Sequence, residues 1–184
     1  LKKLPEHDFS ILDLCTGSGC IAIALARAFP KARIVAVDIQ DHALQLTSEN
    51  CIHNNIRNVT IIKSDLFESV PKDYKFDLIV SNPPYIALDE WKDLDQSVKN
   101  WEDKKALVAS NQGMDIIASI IQQAPQFLRQ RSELEMADIP QLMLEIGYRQ
   151  GGKVKTLLEQ AGYCHIRVEK DLQGKDRVAC ARVV

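Results

Sequence analysis

Four short stretches hold the residue types that chemistry needs. The first is Asp13-Leu-Cys-Thr-Gly-Ser-Gly19. Gly17 and Gly19 admit positive φ and let a ligand approach the backbone closely, and a helix starting there leaves amide donors free. No Gly-Lys-Ser/Thr closes the stretch, so it is not a Walker loop. It is not G-x-G-x-x-G either, because Cys15 stands at the first glycine position and Ile21 and Ala22 follow. An NAD site is therefore second choice, and a lone G-x-G also serves as a plain strand-to-helix turn. Asp38 lies 38 − 19 = 19 residues after Gly19, the distance at which an acid can accept the hydroxyls of an adenosine ribose. An Asp at a strand end is often only a helix cap, but Asp41 competes for that role here, and with the glycines in the adjacent loop ribose is the favoured reading of Asp38. Asp65 is placed to receive the exocyclic amine of an adenine, or to be a solvated turn residue or cap.

The fourth stretch is Ser81-Asn82-Pro83-Pro84-Tyr85. Both prolines fix φ, lack an N–H and disfavour helix in the residue before. The turn is stiff and rich in acceptors. A planar –NH2 group could give its hydrogens to Asn82 Oδ1 and the Pro83 carbonyl while Tyr85 covers its plane. Taken alone, the same residues make a rigid surface turn with a half-buried tyrosine.

Strands and helices must bring these stretches together. The apolar run 10–14 reads as a strand and Cys20 to Ala28 as a helix stopped by Pro30. A second strand covers 32–38, a helix capped by Asp41 runs to about Asn55, and a third strand covers 59–63. The fourth, 76–80, ends against the two prolines. After a polar connection to Gln112, a helix at 114–121, a strand at 142–146 and a helix at 154–160 follow, with Gly151 and Gly152 before it. Strands at 163–169 and 177–184, joined by the turn 173–176, would form an antiparallel hairpin. This alternation specifies an α/β, Rossmann-like, doubly wound and mostly parallel seven-stranded sheet. In such sheets ligands lie beyond the carboxyl ends of the strands, where the loops after Leu14, Asp38, Lys63 and Val80 converge.

With 184 residues, 46% hydrophobic and 26% charged, the chain fits one folded domain, 1–184. Lys plus Arg at 23 against Asp plus Glu at 25 gives a net charge of −2, so no global field draws phosphate backbones or anionic membranes. Five cysteines without a C-x-x-C pair fit neither a disulfide framework nor a zinc site, and agree with a reducing compartment. No apolar run approaches a bilayer span, and no metal site is expected. The four histidines, His7, His42, His53 and His165, are scattered and read as ordinary. The first residue is Leu1 rather than Met, so a targeting sequence or a preceding domain is expected outside these residues.

The series D-L-C-T-G-S-G, the Val37-Asp38 strand end, Ser64-Asp-Leu-Phe67 and Ser81-Asn-Pro-Pro-Tyr85 resembles the class I S-adenosylmethionine-dependent methyltransferases of the amino-group branch. It is most similar to the HemK-type glutamine N5-methyltransferases of peptide-chain release factors. Trp101-Glu-Asp-Lys-Lys-Ala-Leu107, Gly113-Met-Asp115 and Leu144-Glu-Ile-Gly147 extend the likeness over nearly the whole chain. The resemblance implies S-adenosyl-L-methionine as cofactor. Asp13 and the loop of Cys15, Thr16, Gly17, Ser18 and Gly19 would wrap its methionine part, Asp38 would hold the ribose, and Asp65 and Leu66 would border the adenine. Asn82, Pro83, Pro84 and Tyr85 would take the target amide, with Asn82 also against the cofactor. Departures are Cys15, Asp103 and Ala109-Ser110, where the family has Gly, Pro and a Gly pair, and the insertion Arg131 to Pro140. The family's N-terminal helical domain is absent from these residues.

The implied reaction methylates the glutamine amide in the Gly-Gly-Gln loop of a release factor. An amide nitrogen is a poor nucleophile, and bonds from its N–H groups to Asn82 and Pro83 would raise its electron density, increasingly so as charge develops. An adenine N6-methyltransferase is the alternative. Against it, the segment 89–105 mixes six acids with four bases, although Trp91 or Trp101 could stack a base. Direct nucleic-acid binding is disfavoured. A non-catalytic cofactor-binding partner domain is a further alternative, and a small activating partner stays open. The insertion and the Gly113-Met-Asp115 block point to the mitochondrial matrix, with the cytoplasm as alternative.

Overall fold

The structure is a computed structural model that describes residues 9–85, 113–130 and 139–183. The expectations placed on 89–105, on Asp103, on Ala109-Ser110 and on most of the 131–140 insertion lie outside these residues, as does His7. The described residues fall into two compact units, one of residues 9–81, 126–130 and 139–141, the other of 82–85, 113–125 and 142–183.

In the first unit β1 (Ser10–Leu14), β2 (Arg33–Asp38), β3 (Val59–Lys63) and β4 (Leu78–Ser81) are all parallel, in the order β3-β2-β1-β4. Every residue of β1 is buried, as a parallel strand covered on both faces demands. Helix α1 (Cys20–Ala28) buries Ala22, Ile23 and Ala26, and Pro30 follows its end. Helix α2 (Asp41–His53) buries only Thr47 and Cys51. Its first residue is Asp41, but Gln40 occupies the cap position, so Asp41 is not the cap; it pairs instead with Lys63 at 2.6 Å.

The fourth strand starts two residues later than its apolar run. Phe76 instead exchanges backbone bonds with a returning segment, donating to Phe127 C=O at 2.8 Å and accepting from Arg129 N–H at 2.9 Å. Asp77, fully buried, accepts Ser10 N–H at 2.9 Å and pairs with Arg129 at 3.3 Å. Phe127 stacks on Phe67 with ring centroids 4.7 Å apart.

The second unit holds α3 (Asp115–Gln123), β5 (Leu142–Glu145), α4 (Gly151–Gln160), β6 (Cys164–Lys170) and β7 (Asp176–Arg182). β7 runs antiparallel to both β5 and β6. The hairpin is therefore present. Its turn begins at Asp171, whose Oδ1 accepts the N–H groups of Gln173 and Lys175. Helix α4 begins at Gly151 rather than near Val154. A Cβ at Gly151 would lie 2.2 Å from Asp176 Oδ2, so packing, not helix propensity, selects glycine there. Four parallel strands with crossover helices, and three more of which β7 alone runs antiparallel to its two neighbours, make the seven strands and the α/β class expected.

Candidate functional site

The β1–α1 loop is wound through the left-handed region: Cys15 has φ 56°, Gly17 56° and Gly19 80°. A side chain at such a φ is strained by roughly 1–3 kcal/mol, so Cys15 occupies a position where glycine would be unstrained. The thiol of Cys15 is pushed up to about 12, mainly by burial and then by the charge of Asp38, with Asp13 and Asp65 adding to it. It is chemically quiet, and the carboxylates of Asp38 and Asp65 make the potential around it negative. No Cβ neighbour lies within 4 Å of Gly17, whereas a Cβ on Gly19 would come within 2.8 Å of Thr47 Cγ2.

Asp38, at the end of β2, engages both carboxylate oxygens with backbone. Oδ2 accepts Gly17 N–H at 2.9 Å and Oδ1 accepts Gln40 N–H at 3.0 Å. The second bond makes Asp38 the polar group that serves the start of α2. A carboxylate oxygen has two lone pairs, so each retains acceptor capacity. After β3, Ser64 N–H donates to Asp38 C=O at 3.0 Å, Asp65 is exposed, and Leu66 is forced to φ 46°. Strain of this kind clusters at ligand clamps.

Asp13 is fully buried beneath the loop. Its Oδ2 accepts Thr16 Oγ1–H at 2.7 Å and Ala22 N–H at 3.0 Å, tying the loop to the first turn of α1. Burial pushes its carboxyl up to about 7, against the pull of those two bonds and with Asp38 adding to the rise. The folded chain thus holds this proton to near pH 7, while the unfolded chain releases it near 3.8. Stability from this group is complete below the lower value and is lost as pH rises towards the upper. Asp13→Asn should therefore gain on the wild type by on the order of 3 kcal/mol between pH 4 and pH 8. Urea unfolding at both pH values checks it; a difference independent of pH would overturn the assignment.

Helix α2 supplies two residues that sequence reasoning missed. Thr47 Oγ1 donates to Gly17 C=O at 2.8 Å, and Asn50 Nδ2 donates to Ser18 C=O at 2.9 Å. Both are polar faces of a weakly apolar helix, bonded to residues about thirty positions earlier, and no local pattern signals that. Gly19→Ala should destabilise by about 1–3 kcal/mol, because a methyl meets Thr47 at a φ that L residues avoid. Thermal unfolding against wild type measures it.

The parallel register sets Leu14 opposite Ser81, and Ser81 Oγ donates to Leu14 C=O at 2.8 Å. Both strands therefore end at the same edge of this sheet. One continues into Cys15, the other into Asn82. Asp13, Cys15 to Gly19, Asp38 and Asp65 are gathered at that edge of the first unit.

Asn82, Pro83, Pro84 and Tyr85 belong to the second unit. The Asn82 side chain is exposed, Pro83 is buried, and Pro84 and Tyr85 are half-buried. Tyr85 O–H donates to Glu145 Oε1 at 3.1 Å, and its backbone carbonyl accepts Gln150 Nε2–H at 2.8 Å. Burial first, and the neighbouring Glu145 second, push the Tyr85 hydroxyl above its ordinary value, so it remains a protonated donor. Among the described residues no cluster of three His, Cys, Asp or Glu could hold a metal, and no helix is long and apolar enough to cross a membrane.

Comparison with known proteins fits this geometry. Residues 1–98, more than half of the chain, match the model of the methyltransferase small domain. The chain belongs to the methyltransferase small domain family. Within it, the chain is 39% identical over 173 residues to a release factor glutamine methyltransferase of Fusobacterium nucleatum, covering 94% of this chain and 47% of that protein. The chain spans about half the length of the curated relatives it matches. The HemK-type resemblance agrees with these relatives. Among solved structures, the hMettl16 catalytic domain in complex with an RNA hairpin aligns with a TM-score of 0.72 at 18% identity, over 95% of this chain and 63% of that one. A 16S rRNA N2 G1207 methyltransferase of Thermus thermophilus, in complex with AdoMet and guanosine, gives 0.63 at 19%, over 95% and 37%. These likenesses establish the methyltransferase fold.

Proposed function

We propose that this methyltransferase-family chain transfers a methyl group from S-adenosyl-L-methionine to the side-chain amide nitrogen of a glutamine, in the Gly-Gly-Gln loop of a peptide-chain release factor. The observation that carries the reading is the Leu14–Ser81 register, by which the glycine loop and the Asn82-Pro-Pro-Tyr85 turn leave neighbouring parallel strands at one end. The residues of the first unit suit the cofactor. The open face over Gly17 admits close backbone approach, the spare lone pairs of Asp38 suit ribose hydroxyls, and the carboxylates of Asp38 and Asp65 favour a bound cation.

When bound, the cofactor would supply an electrophilic methyl on a sulfonium: the N–CH3 bond would form as the CH3–S bond breaks, the sulfur leaving as a neutral thioether and the nitrogen shedding one of its two protons to water. Cys15, Thr16, Ser18 and Gly19 would complete the loop that holds its methionine part, and Leu66 would border the adenine. On the acceptor side, Asn82 Oδ1 and the Pro83 carbonyl accept the two amide hydrogens and hold the nitrogen in line. Pro84 keeps the turn extended, and the Tyr85 ring, its hydroxyl already committed to Glu145, covers the amide plane. As positive charge grows on nitrogen these acceptors bind more strongly, which is where rate enhancement arises.

The domain 1–184 is the proposed catalytic domain; a preceding helical domain would help hold the release factor, and a small activating partner is compatible with the reading. The mitochondrial matrix is the proposed compartment, on the sequence features named above. Incubation of the full-length protein with labelled methyl donor and purified release factor, followed by mass spectrometry, should place one methyl on the loop glutamine. Transfer to an adenine oligonucleotide instead, or cofactor binding without transfer to either acceptor, would overturn it.

A further inference from the structure

Two prolines stiffen the front of the acceptor turn, but nothing in them fixes its end at Tyr85. From the geometry of the second unit, and resting on the function proposed above, we infer that Gln150 is the positioning residue that sets this turn for methyl transfer. Gln150 is buried at the start of α4, and its backbone N–H donates to Gly147 C=O at 2.8 Å. Its side-chain amide is used at both ends: Oε1 accepts Gly147 N–H at 2.8 Å, and Nε2 donates to Tyr85 C=O at 2.8 Å. The first bond removes the rotamer freedom of the side chain, so the second is delivered from a fixed point. Gly113, at φ 77°, closes the same junction; a Cβ there would fall 1.9 Å from Tyr85 O and 2.8 Å from Gln150 Nε2. The Tyr85 ring is tethered separately through Glu145. One residue of the turn is thus held by backbone and ring from β5 and the turn leading to α4.

Only a primary amide of this length meets both demands. Glutamate keeps the acceptor for Gly147 but sets a carboxylate against the Tyr85 carbonyl. Methionine keeps the volume and loses both bonds. Asparagine is one methylene short. A misplacement near 1 Å can cost about 10²-fold in rate, so this junction should appear in kcat.

The test uses the full-length protein with release factor and labelled donor. Gln150→Glu and Gln150→Met are expected to lower kcat by about 10–100-fold, with cofactor Kd and release-factor KM within about threefold of wild type. Gly113→Ala should reproduce the same split. Wild-type kcat in either folded Gln150 variant overturns the inference, as does a loss of cofactor affinity parallel to the loss of rate. Failure of both variants to fold also overturns it, assigning Gln150 to the scaffold alone. If the wild type itself modifies no glutamine, the functional reading falls rather than the role of Gln150.

Discussion

Asn82→Ala is expected to lower kcat for glutamine methylation by about 10²–10³-fold while leaving cofactor Kd within about threefold. The magnitude is that of deleting one preorganised polar partner from a site where charge develops during reaction. Asn82 has an exposed side chain at the mouth of the strand, so truncation opens no cavity and stability should barely change. Asn82→Asp keeps an acceptor facing the amide hydrogens and should retain more activity than alanine. Steady-state transfer assays with calorimetric cofactor titration decide the matter. A variant turning over near the wild-type rate would remove Asn82 from the mechanism.

Asp38→Ala should have its largest effect on the other substrate. One carboxylate collects the N–H groups of Gly17 and Gln40 and, in the proposed complex, ribose hydroxyls. Hydrogen bonds to a charged group contribute about 1.5–3 kcal/mol each, so losing the ribose bonds alone should weaken cofactor binding by about 10²-fold or more. Saturated kcat should stay within about fivefold, because the acceptor turn is untouched. The two backbone donors left behind should cost stability as well, on the order of 1–3 kcal/mol. Asp38→Asn separates the contributions, since it retains one acceptor oxygen without the charge. Titration calorimetry showing wild-type affinity in Asp38→Ala would end the ribose assignment.

The sheet of the first unit was legible because its strands are nearly continuous apolar runs and its turns are marked by glycine and proline. β1, α1 and β3 have the limits that the pattern predicts. The start of β4 was not legible, because Phe76 and Asp77 bond a segment fifty residues later. The start of α4 was hidden by Gly151 and Gly152, which read as loop. Its reason is tertiary: Asp176 occupies the space a side chain would need. Asp38 posed a choice between cap and ligand that physical chemistry does not require, since its two oxygens divide the work between α2 and the loop. Thr47, Asn50 and Gln150 gave no signal at all. A polar side chain reaching a distant carbonyl leaves no period in the sequence, and only folded geometry reveals it.

The first unit is not one stretch of polypeptide. Phe67, Phe76 and Ile79 find partners in Phe127, Leu128 and Gln141, which are made only after the acceptor turn and α3. During synthesis on the ribosome, Phe67 and Phe76 therefore lack these partners until residues 127 to 129 have emerged, and Ile79 lacks its own until residue 141. The nascent polypeptide must carry apolar ring surface through that interval, so chaperone demand should peak late in translation rather than at its beginning.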